Sequence, residues 1–318
     1  MYEYSMIQWI FFFYLYCFLG WCFESSYVSF RSRKLINRGF MRGPFLPLYG
    51  SGAIIMLVLS APYQEILLLT YISGLIGATL LEYLTGVCME YLFKMRYWDY
   101  SSQPFNFQGY VCLSSSIAWG FLTILMTRVI HRPIAEFVLA IPNILLTLSV
   151  IILTVLIVAD FSIAFRTALD LRDILIHMEK GKEELLRIQK RLDIIIAVMD
   201  NTKEGITEEI ALKKEQLRET LEKDLKTDDL LKGIEERLGQ VKNAIYEKPS
   251  RYLESIRDEV SELRGKFSLQ SDRHYTKVAK DFLKRNLILG NPTMRSTRYN
   301  MMLEELKREI EERRHKKK

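Results

Sequence analysis

Cysteine is scarce in this 318-residue chain and missing altogether after Cys112. Cys17, Cys22, Cys88 and Cys112 form no Cys-x-x-Cys pair, which argues against a zinc ribbon or a disulfide scaffold. They read as small apolar residues in lipid-embedded helices. The four histidines, His131, His177, His274 and His315, are too scattered for a His-rich metal site. Also missing are a phosphate-binding Gly-x-x-x-x-Gly-Lys-Ser/Thr loop, a Gly-x-Ser-x-Gly elbow and a His-Glu-x-x-His helix. No catalytic residue, metal or cofactor is therefore assigned. Ser114, Ser115 and Ser116 have no His or Lys base nearby in sequence and read as small hydroxyls for helix packing.

Charge is the other scarcity, and it is local. Only 9 of the 44 Lys/Arg and 8 of the 38 Asp/Glu fall in residues 1–165. The mean hydropathy of +0.03 thus averages two unlike halves. That asymmetry predicts an all-α chain, with a polytopic transmembrane domain over 1–165 and a cytoplasmic helical, coiled-coil region over 166–318. The basic run Arg313–Lys318 reads as a solvated helix end, with no aromatic-interleaved surface that would take nucleic acid.

Five spans are expected. Ile7–Phe30 is too long and aromatic for a cleaved leader and reads as a retained helix. Arg31, Arg33, Lys34, Arg38 and Arg42 follow it, so the positive-inside rule puts that loop in the cytoplasm and the N-terminus outside. A short second span covers about Phe45–Ser60 and a third Ile66–Leu84, the latter continuing towards Phe93. Tyr110–Val129 is the fourth, with Arg128, His131 and Arg132 outside. Ile134–Ile163 is the fifth, kinked at Pro142 and closed by Asp160. Five crossings leave the C-terminus inside, in a multi-pass cell-membrane protein.

Beyond the last span, Leu171, Ile174, Met178, Leu185, Ile188, Leu192, Ile195 and Met199 recur at heptad spacing, and the pattern returns over 231–245 and 253–267. Residues 170–267 could accordingly pair with a second copy or a helical partner. Asp200–Gly205, Lys248–Ser250 and Leu289–Thr297 interrupt the pattern, and Arg298–Arg314 reads as a last charged helix.

The candidate site gathers around Asn37–Gly50, where two arginines, three glycines and two prolines join the first two spans. Glu82, Gly86 and Glu90 share one face of the third helix at i, i+4 and i+8. Glu24 lies near the cytoplasmic end of its own helix, and Arg96 and Asp99 lie in the second cytoplasmic loop. Ionisable groups at such depths are costly and mark function or tight pairing. Glu24, Arg38, Arg42, Glu82, Glu90 and Asp99 are the candidate binding residues. The arginines would hold an anionic group and the carboxylates a cation or proton. A salt-bridge network that only locks helix ends fits the same residues.

Five stretches together resemble a family. They are Gly20-Trp-Cys-Phe-Glu24, Asn37–Gly50, Leu81-Glu-Tyr-Leu-Thr-Gly86, Tyr97-Trp-Asp-Tyr-Ser101 and Asn106-Phe-Gln-Gly109. The resemblance is to the bacterial membrane proteins labelled putative ABC-transporter type IV, the CmpB-like permeases, and covers about residues 5–165. It implies a transporter permease or membrane subunit whose ATPase is a separate chain. Two other readings stay open: a scaffold acting through its helical tail, and a membrane-embedded enzyme using a carboxylate pair.

Overall fold

A computed structural model of the chain describes residues 3–200, 230, 232–239 and 282–315. The heptad positions over 241–267 lie outside the described residues. Helix α1 is Met6–Ser32, α2 is Pro47–Ser60 with a 3₁₀ turn to Tyr63, and α3 is Leu67–Phe93. A two-residue hairpin, Asn106–Phe107 with Val111–Cys112, leads into α4, Leu113–Leu125. A π-helical turn, Met126–Ile130, joins α4 to α5, His131–Leu139. Helix α6 runs from Asn143 to Asp200, α7 is Phe282–Gly290 and α8 is Asn300–His315. The chain divides into two compact units, one of Met1–Arg172 with Phe282–Leu303 and the other of Asp173–Asp281 with Glu304–Lys318.

Helix α3 shows why the first unit belongs in lipid. Leu68, Ile72, Ile76, Leu80 and Leu84 form an i, i+4 stripe that is exposed. Thr70, Gly74, Ala78, Glu82 and Gly86 form the opposite stripe, and it is buried. Large apolar side chains outside and small or polar ones inside reverse the soluble pattern and match helices that pack within a bilayer. Gly74 shows how close that packing is, because a Cβ there would stand 1.9 Å from Thr123 Oγ1 on α4. Ile144, Leu148, Ile151, Ile152 and Val155 on α6 are likewise exposed. So much uncovered apolar surface needs lipid.

Four helical segments are long and apolar enough to cross a membrane: Met6–Ser32, Leu67–Phe93, Leu113–Leu139 and Asn143–Ile194. Helix α2 has 14 residues and is about 21 Å long, short of a hydrocarbon core of about 30 Å. The segment Leu113–Leu139 differs from the expected fourth span, Tyr110–Val129. It runs to Leu139, so Arg128, His131 and Arg132 lie within helical backbone rather than a loop. His131 is satisfied there by Tyr16 at 2.6 Å and Tyr4 at 3.1 Å, and the Arg128 guanidinium donates to the Gln64 carbonyl. The chain breaks between Ala140 and Pro142 instead of kinking, and α6 starts at Asn143. Phe12, Tyr16, Leu57, Met126, Val138 and Leu146 pack into one apolar core at this end of the bundle.

In the second unit, Met178, Leu185, Ile188 and Leu192 on α6 are buried at heptad spacing, as are Leu230 and Ile234. Leu175, not the expected Ile174, carries the seam one turn earlier.

Candidate functional site

The loop between α1 and α2 does not swing away from the bundle. Arg33 closes α1 in the left-handed conformation, and the chain then climbs back along α1 in four-residue steps. The Ile36 amide donates to Ser29 Oγ at 2.9 Å, and the Arg38 amide to Ser25 Oγ at 3.1 Å. Asn37 Oδ1 accepts from the Trp21 indole at 2.6 Å, and the Leu46 amide reaches the Cys17 carbonyl at 3.0 Å. Ser29, Ser25, Trp21 and Cys17 are one turn apart, so the loop rises about 18 Å before Pro47 starts α2. Proline suits that first-turn position, where no amide donor is required. Asp160 Oδ2 holds the loop from α6 by accepting the Arg42 and Gly43 amides at 3.1 and 2.8 Å. Arg42 itself is exposed.

Three groups of charge lie at this end. In the first, Glu24 accepts the Tyr49 hydroxyl at 2.6 Å and pairs with Arg38 Nε at 3.5 Å. The rest of the Arg38 fork is used as well. Nη1 donates to Asn291 Oδ1 at 3.1 Å, and Nη2 to the Tyr97 carbonyl and Thr293 Oγ1.

The second group centres on Arg96. Its Nε donates to Glu90 at 2.5 Å and its Nη1 stands 3.8 Å from Asp99, all three side chains being less than a fifth exposed. Tyr110 adds a hydroxyl to Glu90 at 2.5 Å and a ring face 4.5 Å from the guanidinium carbon. Burial pushes Asp99 towards its neutral form. The Ser101 hydroxyl and amide, with Arg96 and Arg295, outweigh it and hold the carboxyl below its ordinary value. Burial likewise opposes the charge on Arg96, and Glu90 outweighs it, so the guanidinium stays above its ordinary value.

The third group has no base in it. Glu82 is 4 % exposed. It accepts the Trp119 indole at 2.9 Å, the Tyr100 hydroxyl at 3.0 Å and the Ser115 hydroxyl at 3.4 Å. Among the described residues no Lys, Arg or His forms an ion pair with it. Burial first, then the nearby Glu82 charge, push the Tyr100 phenol well above its ordinary range, so it serves as a neutral donor. The Tyr49 and Trp119 rings meet edge to face at 6.3 Å and join the Glu24 and Glu82 groups.

The expected convergence is therefore divided. Glu24 meets Arg38, Glu90 and Asp99 meet through Arg96, Glu82 sits apart, and Arg42 contributes its main chain. Tyr49, Tyr100 and Trp119 are not among the expected site residues, although the first two stand within the aromatic stretches quoted above, and Ser115, expected to serve helix packing, donates to Glu82. Likewise, the sequence marks Asp160 only as the close of a span. No group of three or more His, Cys, Asp or Glu among the described residues has the arrangement of a metal centre.

Helices faced outward with large apolar side chains and inward with small ones, around a buried acid, define a polytopic α-helical membrane protein. Residues 11–165 match the family described as putative ABC-transporter type IV, so this stretch of the chain is similar to that family. No curated protein and no solved structure matches the chain.

Proposed function

We propose that the chain is a transport-related permease or membrane subunit whose working residue is Glu82. The observation that carries this reading is a carboxylate buried in a candidate span, held by three neutral donors and paired with no base among the described residues. Such a group gains most from a cation or a proton, because either cancels the cost of an isolated charge at low dielectric. Glu24 and Arg38 would form the polar rim of the site, with Glu90 and Asp99 locked by Arg96 as its fixed wall.

The topology follows the same logic. The loop that climbs α1 makes up for the shortness of α2, so loop and helix together complete a fifth crossing. The basic start of that loop, Arg31–Lys34, then lies in the cytoplasm, the N-terminus outside and the C-terminus inside. The chain contains no nucleotide loop, so an ATPase would act from a separate subunit.

The test uses the full chain in nanodiscs, with a panel of inorganic cations and organic ammonium ions screened for a rise in Tm. A ligand of the folded state raises Tm by mass action. At least one cation should stabilise the wild type, and Glu82→Gln should remove that shift while inserting and folding normally. Uptake of the same cation into proteoliposomes should also need Glu82. If Glu82→Gln misfolds, or keeps the cation response, the acid is structural.

A second reading rests on a different observation. Helix α6 continues without a break from Asn143 into buried heptad positions at Leu185, Ile188 and Leu192. That continuity suits a scaffold whose cytoplasmic coiled coil recruits partners or a second copy. Deleting residues 170–318 separates the two. Cation uptake by the remaining membrane half would sink the scaffold reading.

A further inference from the structure

Between α7 and α8, residues 291–299 have no helical structure, yet every second or third side chain is buried. Asn291, Met294, Ser296 and Tyr299 are between 0 and 6 % exposed, while Thr293, Arg295 and Thr297 between them are exposed. Turns at 292–293 and 297–299 flank one bridge residue, Arg295, and the buried side chains seat the segment in a groove.

The groove is made by the two loops at the basic end of the first unit. Arg295 and Arg96 exchange both backbone hydrogen bonds, at 2.7 and 2.9 Å, in an antiparallel bridge. Ser296 Oγ donates to the Lys94 carbonyl at 2.6 Å and Thr293 Oγ1 to the Tyr97 carbonyl at 3.2 Å. From the other loop, the Gly39 carbonyl accepts Asn291 Nδ2 at 2.9 Å and Arg38 donates to Asn291 Oδ1. Gly290 passes so near the Asn37 carbonyl that a Cβ there would stand 2.6 Å from it. The Thr297 hydroxyl bonds Glu90, and Arg295 reaches Asp99 at 3.5 Å.

We propose that these loops form a peptide-binding groove whose resident ligand is the chain's own segment Asn291–Tyr299. The main-chain bridge at Arg96 and the Lys94 and Tyr97 carbonyls, which accept the Ser296 and Thr293 hydroxyls, supply the affinity. The buried Asn291, Met294 and Ser296 supply the specificity, so the groove selects peptides of the form Asn-Pro-Thr-Met-Arg-Ser-Thr. Its occupancy also engages Arg38, Glu90 and Asp99, three of the charged groups around the candidate site. The groove is a recognition surface in its own right and stands whether or not the chain transports anything.

The test is disulfide trapping with peptide competition on the full-length protein in nanodiscs. Arg96→Cys and Arg295→Cys replace the bridge pair, and mass spectrometry of a digest locates the link after mild oxidation. The single variants control for the native cysteines, and gel filtration with thermal unfolding checks the fold. Rapid linking within one chain is expected. A synthetic peptide of the 288–300 sequence, added in excess before oxidation, should reduce linking at least fivefold. The same peptide carrying Met294→Asp should not. No link in a folded double variant overturns the seat of the segment. A link between two chains only overturns the claim that each chain fills its own groove. A link that the peptide leaves unchanged overturns the exchangeable groove and leaves a fixed tie. Because the double variant removes Arg96 itself, peptide binding to the wild type is measured in parallel by fluorescence anisotropy. Preference for the native peptide over its Met294→Asp form is expected there too, and equal binding of the two overturns the specificity.

Discussion

Glu82 and Glu90 stand two turns apart on the same face of α3, yet the protein treats them in opposite ways. Glu90 shares Arg96 with Asp99 and adds hydroxyls from Tyr110 and Thr297. Among the described residues, Glu82 receives an indole and two hydroxyls. A carboxylate locked to a guanidinium has one low-energy state. A carboxylate held by neutral donors can accept or release a proton or a cation without leaving a buried arginine unpaired. The contrast separates an acid locked in an ion pair from one held by neutral donors within one helix.

The largest stability effect should follow from the locked pair. Arg96→Met strips the guanidinium from two mostly buried carboxylates, and losing one partner of such a group costs about 3–5 kcal/mol. Thermal unfolding in nanodiscs measures it, and a change below about 1 kcal/mol would erase the distinction from Glu82. Trp119→Phe removes the shortest hydrogen bond to Glu82 while keeping most of the ring. It should cost about 1.5–3 kcal/mol, the range for hydrogen bonds to charged groups.

Asp99→Asn should cost less, about 1.5 kcal/mol, and should change the pH profile. The folded Asp99 carboxyl lies below its ordinary value, so its contribution is complete above an unfolded pKa of about 3.9 and is lost as pH falls through the folded value. Unfolding followed from pH 7 downwards should therefore be less acid-sensitive in the Asp99→Asn protein. The smallest effect is reserved for Glu82→Gln, at less than about 1 kcal/mol, because no ion pair among the described residues is broken. A loss of several kcal/mol there would make both glutamates structural.

What was legible in the sequence was periodic or local. The buried stripe of α3 appears as small residues and acids four apart, and the basic cluster after α1 marks one end of the bundle. Two kinds of feature were hidden. Arg128, His131 and Arg132 resemble a loop because charge within a span is expensive, and only the distant Tyr4, Tyr16 and Gln64 show how helical backbone accommodates two of them. The partners of Arg38 at Asn291 and Thr293 lie at the other end of the chain, where no spacing rule links them. Gly290, Asn291 and Pro292 announced a turn but gave no sign of what the turn would touch. The division of the charged cluster into locked and unlocked groups depended on Arg96 choosing Glu90 and Asp99, a choice made by tertiary packing.

The seating of Asn291–Tyr299 also has a consequence in the order of synthesis. Both loops of the groove are complete by the time the ribosome has passed Tyr110. The segment that fills them emerges only after α6 and the whole charged region have been made. During that interval Arg38, Glu90, Asp99 and the Lys94–Tyr97 backbone lack the partners that residues 291–297 supply. Filling the groove is thus a late step of maturation, and a product released before residue 290 would carry the membrane helices with the groove still open.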